Sequence, residues 1–287
     1  MIRIQIAGGL GNQLFIWAGA HNLYHEFGQP IKLISTIDTN ARKDRPIEIQ
    51  ELSAHCSHGI IIENSRFYSF LLRAIDKLCL EKFTTSRRVL QELGIYTFDN
   101  PTSTLSFNYR RPRFVRCYFQ RRDLVELHWN NWSRELIEVL SNTDISNLGL
   151  IEPSGAIHFR RGDFMSLSQS YGVLSDEFFQ KNLTSILPTY ICTDEMSLNE
   201  ATVERLKPKA VLTPLEASTW QTLKVFCNSA NFLGSNSTLS WWAGFLRAKN
   251  GPGLSSLPNP WTQLDFGYDE ALRIPNVDYV RAEFFDA

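Results

Sequence analysis

The second half of the chain alternates short apolar runs with amphipathic segments, and this alternation constrains the fold more than any other feature. The apolar runs include GAIHF at 155–159, TYICT at 189–193 and NFLGS at 231–235. The segments at 214–229 and 239–250 repeat apolar residues at helical spacing. Strands that alternate with helices build a parallel sheet covered by helices on both faces. This half is therefore predicted to be a Rossmann-like α/β domain.

The first half begins with the same pattern. Its first elements are predicted as a strand at 2–7, a glycine loop at 8–12, a helix at 12–27 and a strand at 31–35. Helical spacing also predicts helices at 69–83 and 124–140, and the second of these could be two helices. The polar segment 141–155, which carries Pro and Gly, separates the two series.

We therefore predict two Rossmann-like domains that face a central cleft. Their predicted ranges are 1–148 and 149–287. Whether the last helix packs against the first domain is left open.

Composition excludes several classes of protein. With 43% hydrophobic residues in 287, the chain can build large cores. Lys and Arg total 29 against 30 Asp and Glu, so a nucleic-acid partner is not expected. The start of the chain does not resemble a signal peptide, and no apolar run approaches the roughly 20 residues that span a bilayer. We expect a soluble, cytoplasmic protein.

The cysteines and histidines predict no metal site. The five cysteines are odd in number, and no two are spaced as C-x-x-C, so we expect reduced and mostly buried thiols. The six histidines form no recognisable ligand cluster with them. We expect no metal and no other cofactor.

The motif HFRRGDF at 158–164 begins at the end of a predicted strand and places two arginines side by side. Adjacent like charges repel, so either an anion binds them or the stretch is a solvated loop. Ligands of open α/β sheets bind outside the carboxyl ends of the strands, where a guanidinium can grip a diphosphate. Because successive residues of an extended chain point to opposite sides, one of Arg160 and Arg161 should face the ligand and the other the protein. Asp163 could be a base or could hold an arginine. His158 could share the face of Arg160, although a lone strand histidine is more often a core residue.

The segment GSNST at 234–238 lies between a strand and a helix. The first turn of a helix leaves backbone N–H groups unpaired and favours an anion. Ser235, Asn236, Ser237 and Thr238 are therefore candidate phosphate-binding residues. Ordinary capping of the helix by Ser237 or Thr238 explains the same residues equally well.

The glycine loop GGLGNQ at 8–13 is a second candidate for ligand approach, through Gly9, Gly11 and Asn12. It does not match the dinucleotide fingerprint, because Leu14 stands where glycine or alanine is required, and it is not a P-loop. A tight strand-to-helix turn without a ligand is the slightly favoured interpretation.

Two further features of the sequence bear on function. No D-x-D occurs in the sequence, so the usual metal-held nucleotide-sugar site is absent. The stretch 110–122 contains six arginines. A solvated surface is the favoured interpretation, and contact with a membrane or an anionic lipid-linked substrate is the alternative. Thr213 and Glu216 fit a capping box at the start of the helix predicted over 214–229.

Together, HFRRGDF, SNSTLSWW and GGLGNQLF resemble the motifs of the α-1,2-fucosyltransferases, in the order found in that family and across nearly the whole chain. The segment ICTDE at 191–195 is also similar. The resemblance implies a GT-B fold with an acceptor-binding first domain and a GDP-fucose-binding second domain. It implies transfer of L-fucose to the 2-hydroxyl of a galactose, with inversion and without a required metal.

The resemblance also assigns residues. Arg160 matches the arginine that grips the β-phosphate, and Asn12 falls near the reacting sugar. We therefore expect Arg160, Asp163 and Asn12 at the catalytic centre. The residues expected to bind the donor are Gly9, Gly11, Asn12, His158, Arg160, Arg161, Asp194, Ser235, Asn236, Ser237 and Thr238. Segment 164–174 lacks a carboxylate that some relatives carry, which leaves the base open.

The expected partners are GDP-fucose and a galactose-containing oligosaccharide or lipid-linked glycan. Peripheral contact with the inner face of the plasma membrane through Arg110–Arg122 is one option. Three alternatives stay open. The first is an enzyme of the same fold that transfers fucose or another GDP-sugar to a different acceptor hydroxyl. The second is a non-catalytic module that binds a GDP-sugar. The third is a nucleotide-dependent oxidoreductase, which the incomplete dinucleotide fingerprint at 8–13 disfavours.

Overall fold

The computed structural model describes residues 1–35, 46–56, 59–64, 84–162, 165, 168–183, 187–196, 198, 200–250 and 253–285. The chain divides into two compact units, Met1–Val139 and Leu140–Ala287. This division lies within a helix and precedes the boundary predicted at 148. The predicted helix at 69–83 lies outside the described residues.

Unit 1 contains a five-stranded parallel sheet in the order β3-β2-β1-β5-β4. Its strands are β1 (Ile2–Ile6), β2 (Ile31–Ser35), β3 (Ile60–Asn64), β4 (Ile95–Thr97) and β5 (Phe114–Arg116). Its helices are α1 (Leu10–Phe27), α2 (Gln50–His55), α3 (Thr84–Glu92), α4 (Arg122–Glu126) and α5 (Trp129–Asn142), the last of which ends in unit 2. The predicted helix at 124–140 is thus two helices.

The strand order of unit 1 reverses at β1, which pairs with β2 on one side and β5 on the other. Helix α1 follows β1 directly and is buried along most of its length. Its close packing requires Gly19, because a Cβ there would lie 2.4 Å from Cγ of Phe119. The glycine loop before α1 and the residues after β5 therefore lie at the crevice where open α/β sheets bind ligands.

Unit 2 contains a six-stranded parallel sheet in the order β11-β10-β9-β6-β7-β8. Its strands are β6 (Gly155–Phe159), β7 (Thr189–Thr193), β8 (Ala210–Leu212), β9 (Asn231–Leu233), β10 (Leu254–Asn259) and β11 (Asp278–Arg281). Its helices are α6 (Ser168–Tyr171), α7 (Asp176–Asn182), α8 (Glu200–Leu206), α9 (Thr219–Asn228), α10 (Thr238–Asn250) and α11 (Tyr268–Ala271), with a 3-10 turn at Ser146–Leu148. From the central neighbours β6 and β9, the strands β6, β7 and β8 follow in order towards one edge of the sheet. The strands β9, β10 and β11 follow in order towards the other edge, which is the Rossmann order.

The prediction of two α/β units built on parallel sheets is confirmed. Strands β6 and β7 are buried at every residue, as their continuous apolar sequences predict for central parallel strands. Trp241 and Trp242 of α10 are fully buried, and the Trp241 indole N–H donates to the carbonyl of Leu272 at 2.6 Å. No helix within the described ranges is long and apolar enough to cross a membrane.

The helix predicted over 214–229 is shorter than expected. Glu216 does accept a bond from the Thr213 amide at 2.8 Å, but these residues close a turn instead of starting the helix. Helix α9 begins at Thr219, where Ser218 and Gln221 form a complete capping box. Ser175 caps α7, since its hydroxyl accepts from the Phe178 amide at 3.2 Å.

Candidate functional site

The two motifs of unit 2 meet at the point where its strand order reverses. Strands β6 and β9 are hydrogen-bonded neighbours, with Ile157 opposite Leu233. HFRRGDF continues from the carboxyl end of β6, and GSNST continues from the carboxyl end of β9. This is the crevice where doubly wound sheets bind their ligands. The candidate site of unit 2 is therefore formed by residues 158–162 and 234–238.

Arg161 is directed into the protein. The residue is 7% exposed, and its guanidinium lies between two aromatic rings, with Cζ 4.2 Å from the ring centre of Phe159 and 4.5 Å from that of Phe285. Its guanidinium also pairs with the carboxylate of Asp176. The prediction that one arginine of the pair is structural agrees with this geometry. A packed and paired Arg161 holds the strand end and is not placed to bind a ligand.

Arg160 lies at the crevice and is positioned by Asp194, the residue that follows β7. Arg160 Nη1 is 2.9 Å from Asp194 Oδ2, and the other oxygen, Oδ1, accepts from the Arg161 amide at 3.0 Å. Gly162 allows this close approach, because a Cβ there would lie 2.1 Å from Asp194 Oδ2. Asp194 therefore holds Arg160 and the backbone of Arg161 in place. The sequence makes Asp163 another candidate for this role. Asp163 itself lies outside the described residues.

The start of α10 offers backbone donors beside this arginine. Ser240 Oγ accepts from the Ser235 amide at 2.9 Å, and Ser237 Oγ accepts from the Leu239 amide at 3.3 Å. These side chains cap part of the first turn, as the alternative interpretation anticipated. Helix α10 is 13 residues long, so its first turn keeps the positive end of its dipole at the crevice.

Asn236 fixes a neighbouring loop. Its side-chain amide donates to the carbonyls of Tyr171 and Gly172, both at 3.1 Å. The side chain is 2% exposed, and its Oδ1 has no hydrogen-bond partner among the described residues. A buried acceptor without a partner is costly. Asn236 is therefore a positioning residue with one acceptor available to a donor at the crevice.

His158 is a core residue that supports α10. The ring is 4% exposed, and its Nδ1 lies 2.7 Å from Ser240 Oγ. Burial, and secondarily the charge of Arg160, lowers the pKa of His158 to about 3. The neutral ring of His158 bonds to Ser240, and Ser240 accepts from the Ser235 amide. His158 therefore supports the start of α10 through Ser240. The geometry thus favours a positioning role for His158 over the predicted contact with the donor.

Acid is expected to destabilise the fold through His158. Its folded-state pKa lies below the unfolded value of about 6.5, so the stability it contributes is fully present above that pH and is lost as the pH falls towards 3. Between pH 6.5 and 5 the wild type should lose about 2 kcal/mol more unfolding free energy than His158→Gln. Urea unfolding at a series of pH values measures both slopes. Equal slopes would show that His158 is not buried in its neutral form.

The crevice of unit 1 is built on Gly8, Asn12 and Gln120. Gly8 has φ of 78°, and a Cβ there would lie 2.3 Å from Asn12 Nδ2. Gln120, which follows β5, donates to Asn12 Oδ1 at 2.9 Å. The Leu10 amide in the first turn of α1 donates to the carboxylate of Glu48 at 2.8 Å.

A carboxylate of the protein thus occupies the position that a phosphate would take at this helix start. Gly11 is buried within α1, and Gly9 is the residue that precedes the helix. The geometry favours the interpretation of this loop as a tight turn that presents Asn12. Donor contacts by Gly9, Gly11 and Asn12 stay predictions.

Sequence reasoning missed Glu195 as a candidate acid or base. It follows Asp194 at the carboxyl end of β7, and its amide donates to Thr193 Oγ1 at 3.1 Å. Burial raises the pKa of Glu195, with further upward contributions from Asp194 and Asp176, while Arg161 lowers it. The resemblance of ICTDE to a family motif was the signal that could have identified it.

Unit 1 contains a possible metal-ligand group that sequence spacing did not reveal. One ligand atom from each of His21, Cys56 and Glu135 lies within 4.8 Å of the others. His21 Nε2 is 3.3 Å from Glu135 Oε2, which also accepts from the Trp17 indole at 3.2 Å. Spacing along the sequence did not reveal this group, because tertiary packing brings its members together. The expectation that the chain binds no metal stays a prediction. These residue types suit zinc, and His21 and Glu135 also contact each other directly in the core.

The cysteines of the described residues are free thiols, as predicted: Cys56, Cys117, Cys192 and Cys227. Burial raises the pKa of Cys117, Cys192 and Cys227 to about 12 in each case. Thiols of this kind stay protonated and unreactive at neutral pH. None of these three is a candidate nucleophile.

The chain is similar to a bacterial sugar-transferring protein. It is 22% identical over 272 residues to the O-antigen biosynthesis glycosyltransferase WbnK of Escherichia coli, covering 84% of this chain and 88% of that protein. No model of a known protein family matches the sequence.

Two kinds of solved structure resemble the fold. NodZ alpha-1,6-fucosyltransferase from Bradyrhizobium, crystallised with GDP, is 14% identical, with a TM-score of 0.44 over 85% of this chain and 92% of that one. Heptosyltransferase WaaC of E. coli, with an ADP-heptose analogue, is 10% identical, with a TM-score of 0.48 over 98% of this chain and 92% of that one.

Proposed function

We propose that this chain is an inverting glycosyltransferase that moves L-fucose from GDP-fucose to the 2-hydroxyl of a galactoside. The acceptor would belong to an oligosaccharide or lipid-linked precursor of a surface polysaccharide, and the enzyme would act in the cytoplasm. Similarity to an O-antigen glycosyltransferase over most of the chain supports sugar transfer. The choice of GDP-fucose and of the 2-hydroxyl rests on the resemblance of the three sequence motifs.

The observation that carries the proposal is the convergence of Arg160 and the start of α10 at the strand crossover of unit 2. A guanidinium fork and a helix dipole both favour a diphosphate. Arg160 is held by Asp194, so its position is set before any ligand binds. Preorganised groups of this kind stabilise charge that develops in a transition state.

The proposed reaction breaks the bond between the anomeric carbon of fucose and the β-phosphate oxygen of GDP. The electron pair of that bond passes to the phosphate oxygen, and Arg160 with the α10 amides stabilises the added negative charge. The acceptor oxygen forms the new bond from the opposite face of the sugar, which inverts the anomeric configuration. Its proton must pass to a base, since GDP leaves as an anion.

Two carboxylates are candidates for this base. Asp163 follows the arginine motif in sequence. Glu195 lies at the end of the strand beside β6, and its raised pKa brings it closer to the range of an effective general base. Unit 1 would recognise the acceptor through the Asn12–Gln120 pair at its own strand crossover.

We propose that Arg160 and the helix start supply the positive charge that many glycosyltransferases take from a divalent cation. The absence of D-x-D from the sequence supports this view. The His21–Cys56–Glu135 group belongs to unit 1 and to none of the proposed phosphate contacts. An ion bound there would be structural.

Calorimetric titration with GDP, GDP-fucose, GDP-mannose and NADH, all in EDTA, tests the donor assignment. We expect GDP and GDP-fucose to bind without metal and NADH not to bind. Release of GDP on addition of galactosides would then separate an enzyme from a non-catalytic binding module. Failure of GDP to bind, or binding only after addition of a divalent cation, would contradict the proposal. Preference for GDP-mannose would change the donor sugar.

A further inference from the structure

A pocket lined by arginines opens in unit 1 at the opposite end of the sheet from the Asn12–Gln120 pair. It has a volume of about 580 Å³ and is lined by Arg3, Arg110, Arg111 and Arg113. The other side chains lining it are uncharged, and no carboxylate lines it among the described residues. Such a concentration of one charge is costly unless an anion is nearby.

The strand register places this pocket. Arg3 lies near the start of β1, and its amide donates to the carbonyl of Arg113, the residue before β5, at 2.9 Å. The Asn12–Gln120 pair follows the carboxyl ends of the same two strands. The length of the five-residue strand β1, roughly 16 Å, separates the two places. The arginine pocket is therefore distinct from the candidate site of unit 1.

Only part of the arginine-rich stretch takes part in this pocket. Arg110, Arg111 and Arg113 line it. Arg121 Nη2 instead lies 2.6 Å from Asp123 Oδ2, and Arg122 Nε lies 3.4 Å from Glu126 Oε2. The stretch 110–122 is thus not one basic face. Arg110, Arg111 and Arg113 form no ion pair with a carboxylate among the described residues, whereas Arg121 and Arg122 are paired within the chain.

Exposed apolar side chains flank the pocket. Val89 and Leu93, one turn apart at the end of α3, are 51% and 53% exposed, and Tyr109 is 51% exposed. Gly94 joins this end of α3 to the arginines, since its carbonyl accepts from the Arg113 amide at 2.7 Å. Tyr109 in turn lies under Arg88, with Cζ 5.6 Å from the ring centre. Arg88 also pairs with Glu92 at 3.5 Å, so it adds little net charge.

We propose that this surface, formed by Arg110, Arg111 and Arg113 with Val89, Leu93 and Tyr109, binds an anionic lipid bilayer. Arginine forks bind lipid phosphates, and the apolar side chains enter the region between headgroups and acyl chains. A pocket for a soluble phosphate compound would need the arginines alone. The adjoining apolar residues favour the bilayer, because a membrane surface offers phosphate and hydrocarbon together.

Co-sedimentation with phosphatidylcholine vesicles, with and without phosphatidylglycerol, tests this inference on the whole chain. We expect binding only to vesicles with phosphatidylglycerol, and weaker binding as salt is raised. Each arginine near an anionic surface is worth about 1 kcal/mol, so Arg110→Ala/Arg111→Ala should reduce partition about 25-fold. The matched control is Arg121→Ala/Arg122→Ala, which removes the same charge from the same stretch and should retain most binding.

Further variants distinguish a bilayer from a soluble phosphate compound. Leu93→Ser and Tyr109→Ser, each at an exposed position, should each reduce vesicle binding severalfold. Calorimetry with glycerol phosphate and inorganic pyrophosphate should show no binding in the low micromolar range. The inference fails if wild-type protein ignores anionic vesicles or if the two double variants lose binding equally. It also fails if the soluble phosphates bind tightly while the apolar variants keep full vesicle binding.

Discussion

Replacing Arg160 by alanine is expected to weaken GDP binding by about a hundredfold or more while both units remain folded. Two charge-assisted hydrogen bonds from the guanidinium to a diphosphate, each worth about 1.5 to 3 kcal/mol, account for this loss. The rate of sugar transfer should fall at least as far, because the same bonds strengthen as charge builds on the departing GDP. Calorimetry with GDP and a steady-state assay of GDP release measure the two effects.

The alanine variant also leaves Asp194 without its arginine partner. Its carboxylate is mostly buried and would repel an incoming phosphate. The double variant Arg160→Ala/Asp194→Asn removes that charge while keeping a side chain of similar size. GDP binding should stay weak in the double variant if Arg160 grips the phosphate. Recovery of wild-type affinity would show that the single variant fails only because of the unpaired carboxylate.

Arg160→Lys separates charge from shape. Lysine keeps the positive charge but lacks the planar fork that binds two oxygens at once. An intermediate affinity is expected, between those of the wild type and Arg160→Ala. The matched control is Arg121→Ala, since Arg121 belongs to unit 1 and pairs with Asp123 at 2.6 Å. That variant should bind GDP as the wild type does.

Local sequence predicts that the arginine motif follows a strand of the sheet, but it does not predict which carboxylates pair with the arginines. Alternation along an extended chain predicts that one of Arg160 and Arg161 faces the ligand and the other faces the protein. The burial of Arg161 agrees with that separation. Its partner Asp176 lies 15 positions along the chain, beyond the reach of any local pattern. Asp194 acts across the sheet from β7. Partners of this kind depend on tertiary packing, which spacing along one sequence does not encode.

The errors in the elements have physical causes. Thr213 and Glu216 make the local contacts of a capping box, but they close a turn, and Ser218 begins the helix instead. Strand β10, with the sequence LSSLPN, was not predicted, because its apolar residues do not alternate and it contains a proline. Its position is fixed by pairing with β9 and β11. Neighbouring strands override weak local preference in such cases.

The largest expected loss of stability comes from Arg247→Met. Arg247, on α10, is only 4% exposed, yet its guanidinium binds six acceptors around the end of α9 and the start of β10. It donates to the Ser255 hydroxyl at 2.7 Å and to the carbonyls of Phe226 and Leu254, both at 2.9 Å. Burial lowers the pKa of Arg247, while the nearby Cys227 raises it.

Methionine fills a similar volume but donates no hydrogen bond, so several buried carbonyls would lose their partner. Each buried acceptor left unsatisfied costs about 1 to 3 kcal/mol, although water entering the space recovers part of this. We expect a loss of about 4 kcal/mol in the unfolding free energy of unit 2 and a decrease of about 10 °C in its Tm. Thermal unfolding followed by tryptophan fluorescence measures the change.

Lys249→Met is the matched control for Arg247→Met. Lys249 lies on the same helix and is exposed, with Nζ 5.4 Å from the ring centre of Phe245. Its replacement should cost less than about 1 kcal/mol. Arg247→Lys should be intermediate, because an ammonium group supplies three donors against the five of a guanidinium. A Tm of Arg247→Met close to that of Lys249→Met would mean that the six contacts are weak and that α9 and α10 are held by apolar packing alone.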